Sequence, residues 1–359
     1  MIKLFQLDRL WAEIRDDALA SIESVAGQGF GQKGPTMESV ESWLCEYSGR
    51  KHAITVASGT DALTCILQCL NLHRHACVAV SSYSFIASAT GILRAGAEPV
   101  FVDVNNDYHI DLDQVPDNVN AVILVDLFGM SMDYSKIQEY QTRNPYTAII
   151  MDAAQSIESF YQGQSSMKVG IASAVSFAPT KTIPTFGSGG AVLTDDDSLA
   201  ALARLWRTHG KIYNRSQAAC VGSNSMMSSL ETAQLSACIS RHQQWHKRRE
   251  QIAMHYILSA SSPRLTMPEG RGQHTWHKFV ITCRDHTTRE HLRAFMDSRN
   301  IQTEIYYDLL INREEIFRDY YTATPNAEHL SSVSLAIPCQ HTLTDEEVNT
   351  IAQALKDFT

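Results

Sequence analysis

A chain of 359 residues, 44% hydrophobic and 19% charged, has the composition of a soluble globular protein and length enough for about two domains. Its 30 basic and 39 acidic residues leave a formal charge of −9, and the longest basic run is only Lys247–Arg249, which argues against a nucleic-acid partner. No apolar stretch reaches the ~18 residues of a membrane span. The start, MIKLFQLDRLWAEIRDD, carries acids where a leader would be apolar, and the eight cysteines are scattered without a CxxC pair. A reducing, cytoplasmic setting without a structural metal is therefore expected.

Residues 5–25 carry Leu7, Leu10, Trp11, Ile14 and Leu19 at helical spacing, which predicts an amphipathic helix. Gly27–Pro35 breaks it as a loop. Residues 36–48 resume a helix with Val40, Trp43 and Leu44 on one side. Ala53–Ala57 reads as a strand, followed by Ser58-Gly59-Thr60 and a helix from Asp61 to Leu72. Backbone N–H groups and a hydroxyl at a helix start suit a phosphate; taken alone, the stretch reads first as plain capping by Ser58 or Thr60.

The alternation continues with strand Ala76–Val80, helix Ser84–Arg94 and strands Pro99–Asp103 and Ala121–Asp126. Helix Tyr134–Thr142 and strand Thr147–Met151, closed by Asp152, come next. Ala172–Phe177 and Ala191–Thr194 are two further strands. Strands separated by helices predict an α/β fold, a mostly parallel central sheet with helices on both faces. Ligands of such sheets gather beyond the carboxyl ends of the strands. Ser58–Thr60, Asp152 and the loop of Lys181 all follow strands, so one crevice is expected to collect them.

A helix from Asp196 to Trp206, a polar irregular stretch Lys211–Ser225 and a long helix Met227–His246, with Leu230, Leu235 and Ile239 inward, follow. Beyond about residue 247 the pattern changes to strand His277–Thr282, helix Thr287–Ser298, extended Ile301–Tyr307 and terminal helix Asp345–Phe358. The expected division is a large domain over 1–246, with an N-terminal arm, and a smaller C-terminal α+β domain over 247–359. His242 and His246 have metal-ligand spacing, but no third ligand or HExxH glutamate accompanies them, and a solvated helix face is expected.

Ser176–Gly190, SFAPTKTIPTFGSGG, sets Lys181 between two apolar runs and beside a glycine cluster. That lysine reads either as a solvated loop residue or as an amine nucleophile of the kind that forms Schiff bases. Pyridoxal phosphate needs such an amine, a phosphate cup, a carboxylate for the pyridine nitrogen, a flat contact for the ring and a donor near the phenolic oxygen. Lys181 supplies the amine, Gly59, Thr60 and Ser176 the cup, and Asp152 the carboxylate. Gln155 and Phe85 are candidates for the phenolic oxygen and the ring face. Each has a plainer reading alone: Asp152 as a turn aspartate, Gln155 as a surface or capping residue, Phe85 as core. Their order and shared place at strand ends make the set stronger than its members.

Six segments carry a resemblance to the DegT/StrS-type sugar aminotransferases, a branch of the fold type I pyridoxal-phosphate enzymes. They are GQKGPTMESVESWLCEYSG, VASGTDAL, SSYSFIASATGILRAGAEPVFVDV, MDAAQSIESFYQG, SFAPTK…GSGGAVLTDD and GSNSMMSSLETAQLSACI. The resemblance covers about residues 5 to 350. It implies that Lys181 holds the cofactor and carries the proton, Asp152 pairs with the pyridine nitrogen, Gln155 lies near the phenolic oxygen and Phe85 stacks on the ring. It implies that Gly59, Thr60 and Ser176 hold the phosphate. Asn224 matches an asparagine that reaches the neighbouring subunit's phosphate, so a homodimer with shared active sites is implied. Two departures stand out. Met226 replaces an arginine, and Tyr306–Asn312 (YYDLLIN) lacks the histidines and prolines of the family's His-Tyr-Pro…Pro-Leu-His segment, which lies near the substrate in relatives.

The expected activity is amino transfer, with glutamate as donor, to a nucleotide-linked keto-sugar, foremost an NDP-4-keto-6-deoxyhexose, in amino-sugar or surface-polysaccharide biosynthesis such as that of lipopolysaccharide O-antigen. A 3-keto sugar or a sugar without nucleotide is the alternative. Two rivals are weighed. A sugar dehydratase of this family replaces the lysine, which Lys181 argues against. A binding regulator that has lost turnover fits Met226 and YYDLLIN but not the intact Lys181–Asp152–Gln155 set.

Overall fold

The computed structural model describes residues 1–212, 217–270 and 272–358, so residues 213–216 of the irregular stretch lie outside the described residues. Helices α1 (Leu7–Gly27) and α2 (Pro35–Ser48) precede β1 (His52–Val56) and α3 (Gly59–Cys69). Then come β2 (Cys77–Ser81), α4 (Ala87–Arg94), β3 (Glu98–Val102), β4 (Ala121–Val125), α5 (Tyr134–Arg143) and β5 (Ala148–Asp152). A short hairpin, β6 (Phe160–Tyr161) and β7 (Gln164–Ser165), leads to β8 (Ala172–Ser176), β9 (Gly190–Thr194) and α6 (Asp197–Trp206). The seven long strands form one sheet in the order β1-β9-β8-β5-β4-β2-β3, and all but β9 point the same way. This is the expected α/β architecture.

Burial on both faces explains the unbroken apolar strands. In β4, Ala121, Ile123 and Val125 enter the core beneath α3, α4 and α6, while Val122 and Leu124 enter the core beneath α1, α2 and α5. The same period of two places the site residues. Asp152 shares parity with Ile150, and Ser176 with Ala174, so both end their strands on the α3–α4 side.

The expected single helix Met227–His246 is two helices, α7 (Ser229–Ile239) and α8 (His242–Ser259). Ser240 Oγ and Arg241 Nη1 both donate to the Ala237 carbonyl, at 2.8 and 3.1 Å, and so occupy the acceptor that a continuing helix would offer to Arg241 N. A capping box between Ser228 and Glu231 sets the start of α7. It phases the helix so that Leu230, expected inward, is exposed, and in α1 Ala18 is buried where Leu19 is exposed. His242 and His246 do not form a solvated face. They turn onto the buried Glu158, with Nδ1–Oε distances of 3.3 and 3.8 Å.

Beyond α8, β10 (Leu265–Thr266), β11 (Phe279–Cys283) and β12 (Ser334–Ile337) form an antiparallel sheet with α9 (His286–Ser298), α10 (Pro325–Val333) and α11 (Asp345–Asp357). Phe279 and Ile281 face α9 and α11 through Leu292, Met296, Ile351 and Leu355. Val280, on the opposite face, joins Leu310, Leu330 and Ala336 in the core of the large sheet. That contact brings the residues just before β11, His277 and Lys278, over the carboxyl edge of the large sheet. No helix among the described residues is long and apolar enough to cross a membrane.

Candidate active site

Helix α3 begins at the carboxyl edge of the sheet. Ser58, in an extended conformation, is its cap: its Oγ accepts from Asp61 N at 3.1 Å. Gly59 and Thr60 are left as the first helical residues, whose N–H groups have no acceptor within the helix. Both residues and Ser176 line one cavity. The fit here tolerates no side chain. A Cβ at Gly59 would lie 2.8 Å from Ser176 Cβ, and one at Gly190 would lie 2.5 Å from the Ser58 carbonyl carbon and 2.6 Å from Gly59 N. Two other glycines of the cluster answer to α7 and the turn before it instead: a Cβ at Gly187 would meet Glu231, and one at Gly189 would meet Met227.

Asp152 closes β5 on the same side. Its Oδ2 accepts from Ser88 Oγ at 2.8 Å and its Oδ1 from Ala154 N at 3.1 Å. Burial pushes its carboxyl up, against these hydrogen bonds and the nearby Lys181 charge, which pull it down. Burial lowers the Lys181 amine to about 8, with Asp152 opposing that shift. A lysine in the ordinary range is almost wholly charged at neutral pH; this one releases its proton far more readily.

The segment Thr182–Phe186, TIPTF, has a structural task. Thr185 N and Oγ1 donate to Phe177 O at 2.7 and 2.9 Å, Ile183 is fully buried, and Phe186 N donates to Gln234 Oε1 at 3.1 Å. The Phe186 ring meets Trp11 edge-on at 5.5 Å. Lys181 is thus carried on a loop anchored to α1 and α7.

Gln155 is fixed by three partners. Its Oε1 accepts from Phe128 N at 2.8 Å, its Nε2 donates to Tyr307 OH at 3.2 Å, and His277 Nδ1 lies 3.1 Å from Oε1. His277 Nε2 lies 3.1 Å from the carbonyl of Thr180, the residue before Lys181. Burial and the neighbouring Lys278 and Lys181 hold this imidazole well below its usual range. Phe85 presents an aromatic face that is 53% exposed at the cavity mouth.

One cavity of about 420 Å³ therefore gathers Gly59, Thr60, Phe85, Asp152, Gln155, Ser176 and Lys181. Asn224 is exposed and does not line it; it bridges to Thr208. Met226 is also outside the lining. Of the divergent segment, Tyr306 and Tyr307 form a wall of the cavity. Asn312 is buried elsewhere, donating to Thr322 O and Thr324 Oγ1 at 2.6 and 3.1 Å. Reading the sequence missed Ser88, His277 and Lys278. Ser88 was visible only as a small residue within the expected helix Ser84–Arg94, and the other two opened the expected strand His277–Thr282 with no local motif.

The donor set fits pyridoxal phosphate. A half-buried amine of lowered basicity, a buried carboxylate, a helix start whose cradle has no room for a Cβ and an uncovered phenyl face stand around one space. Comparison with known proteins agrees. Residues 12–356 match the DegT/DnrJ/EryC1/StrS aminotransferase family. The chain is 28% identical to the pleiotropic regulatory protein of Geobacillus stearothermophilus, covering 99% of this chain and 98% of that one. It is 27% identical to the dTDP-3-amino-3,6-dideoxy-alpha-D-galactopyranose transaminase of Aneurinibacillus thermoaerophilus, over 100% of this chain and 99% of that one. The crystal structure of S. venezuelae DesV in complex with a ketimine intermediate superposes with a TM-score of 0.93 at 27% identity, covering 99% and 98% of the two chains.

Proposed function

Because this chain belongs to the DegT/DnrJ/EryC1/StrS aminotransferase family and is a pyridoxal-phosphate-dependent sugar aminotransferase, we propose that it moves an amino group from L-glutamate to the ketone of a nucleotide-linked sugar. The observation that carries this reading is Lys181, half-buried, and Asp152, buried, in one cavity with the start of α3. When bound, the cofactor supplies an aldehyde for an amine and a ring that draws off the electron pair left at carbon when a proton departs.

The chain's residues divide the remaining work. Lys181 Nζ would hold the cofactor's aldehyde, and when free it would take a proton from the donor's α-carbon and return one to the sugar carbon. Its basicity near neutral pH suits both transfers. Asp152, oriented by Ser88 and the Ala154 amide, would keep the ring nitrogen protonated. Gly59, Thr60 and Ser176 take the phosphate at the α3 start. Gln155, held by Phe128 N and Tyr307, would serve the phenolic oxygen, and Phe85 would give the ring its flat contact. Asn224, exposed and outside the cavity lining, serves the site of a second copy in a homodimer. The cofactor-holding part spans 1–246 and the smaller C-terminal part 247–359, with α8 running through the division. The eight unpaired cysteines accord with a cytoplasmic setting.

The Aneurinibacillus relative is named for a nucleotide-linked sugar with its amino group at carbon 3, which supports a 3-keto substrate ahead of the 4-keto-6-deoxyhexose expected first. Incubation with glutamate and a panel of nucleotide-linked 3-keto and 4-keto sugars, with products identified by mass spectrometry and NMR, tests this. An amino sugar from the 3-keto members supports it; amination at carbon 4 alone restores the first expectation. The regulatory name of the Geobacillus relative favours a second reading, binding without turnover. Absence of amino transfer from any amino acid would support that reading.

A further inference from the structure

Lys278 stands in the same cavity as Lys181 and Asp152, and the chemistry above gives it no task. It is only 9% exposed. Its Nζ has one polar partner among the described residues, Tyr306 OH at 3.3 Å. The rest of its surroundings is aromatic: the nitrogen lies 3.8 Å from the centre of the Phe5 ring and 4.5 Å from that of Tyr306. Among the described residues no carboxylate comes within salt-bridge distance; Glu304 acts on it only at longer range.

This is a costly place to keep an amine unless something enters to pair with it. Two aromatic faces attract a cation, but they do not replace the hydration lost on burial. Burial, reinforced by Lys181, drives the Lys278 amine well below the usual lysine range. An arriving anion reverses that balance by supplying the missing counter-charge where water is excluded. The backbone is fixed for the purpose. His277 sits between Gln155 Oε1 and the Thr180 carbonyl, each 3.1 Å from a ring nitrogen, and its single N–H donates to one of them, so Lys278 is held beside the loop that carries Lys181.

We propose that Lys278 and the Tyr306 hydroxyl form a reader for a substrate carboxylate. Lys278 donates to one carboxylate oxygen and the Tyr306 O–H to the other. The cofactor phosphate has its own cradle at Gly59, Thr60 and Ser176, set by different elements, so the ligand read by Lys278 is a second anion. Two sources share this chemistry: the carboxylate of the amino-acid donor and an acidic group on the sugar. The inference rests on the aminotransferase reading, which brings both substrates to one cavity in turn.

The test measures binding without turnover, by calorimetry on the cofactor-loaded protein. The probes are glutarate, which has carboxylates but no amine to transfer, UDP-glucuronate, and UDP-glucose, which lacks a carboxylate. The wild type is expected to bind at least one of the two carboxylate probes. K278M should weaken that binding at least tenfold, Y306F a few-fold, and K278R should recover it to within about threefold. Loss of glutarate binding assigns the reader to the donor, and loss of UDP-glucuronate binding to the sugar; UDP-glucose should respond to none of the variants. If K278M fails to fold, as judged by circular dichroism, K278R and Y306F are compared in the same way. Failure of the wild type to bind either carboxylate overturns the proposal, as does K278M binding both like the wild type. Failure of the aminotransferase reading itself is seen separately, as the lack of a yellow adduct between pyridoxal phosphate and Lys181.

Discussion

Single residues set the chemistry here through their surroundings. Lys181 reacts with an aldehyde only as the neutral amine, and burial brings its proton loss to about 8. The rate of adduct formation with pyridoxal phosphate should therefore rise about tenfold per pH unit below that value and level off above it. Stopped-flow absorbance across a pH series reads this; a rate still climbing toward the ordinary lysine range would mean that the amine is not desolvated. Asp152 tests the other end. D152N keeps the shape and the Ser88 partner but cannot carry the negative charge that holds a ring proton. Turnover should fall by about 10²-fold or more while the yellow adduct still forms, an electrostatic loss of the size seen when a pre-set charge partner is removed. Equal loss of adduct and turnover would assign Asp152 to folding instead.

At the scale of elements, β5, α8 and the hairpin β6–β7 meet around Glu158, which follows the site's Asp152–Gln155 run. Burial pushes its carboxyl up, but Arg249, His242 and His246 outweigh that and hold it at about 2. A carboxyl lowered on folding stabilises the protein above its unfolded value of about 4.3 and loses that contribution as pH falls toward 2. E158Q would leave Arg249 buried without a counter-charge and should cost about 3–5 kcal/mol. Urea unfolding at pH 7 measures the cost, and the gap between E158Q and wild type should narrow as pH drops from about 5 to 2. A gap unchanged over that range would contradict the assignment. This cluster also shows where the sequence is silent. The strands of the large sheet were legible because two-sided burial writes continuous apolar runs such as AVILV. The break between α7 and α8 was not, since it comes from Ser240 and Arg241 side chains capturing one carbonyl without disturbing the apolar pattern. Nor was the inward turn of His242 and His246, because Glu158 belongs to another element. Asp152, Gln155 and Lys181 were legible as strand-end residues, whereas Ser88 and Lys278 acquire meaning only from the packing of α4 and β11 against that edge.

For the whole molecule, the proposed role of Asn224 calls for a second copy. Asn224 lies outside its own cavity lining, and Phe30, Phe186 and Leu230 are apolar yet exposed, beside or within the elements that anchor the lysine loop. Sedimentation should give about 80 kDa, twice the 40.0 kDa of one chain. N224A should release cofactor faster without altering that mass, and a fully active monomer would contradict the shared site. The central claim, that Lys181 and Asp152 work one cofactor for amino transfer from glutamate, is tested most directly by titrating the purified, cofactor-loaded protein with L-glutamate alone. The account predicts that the yellow absorption is lost as 2-oxoglutarate appears, one per chain, and that K181A yields none. Yellow absorption that persists, with no 2-oxoglutarate formed, would contradict it.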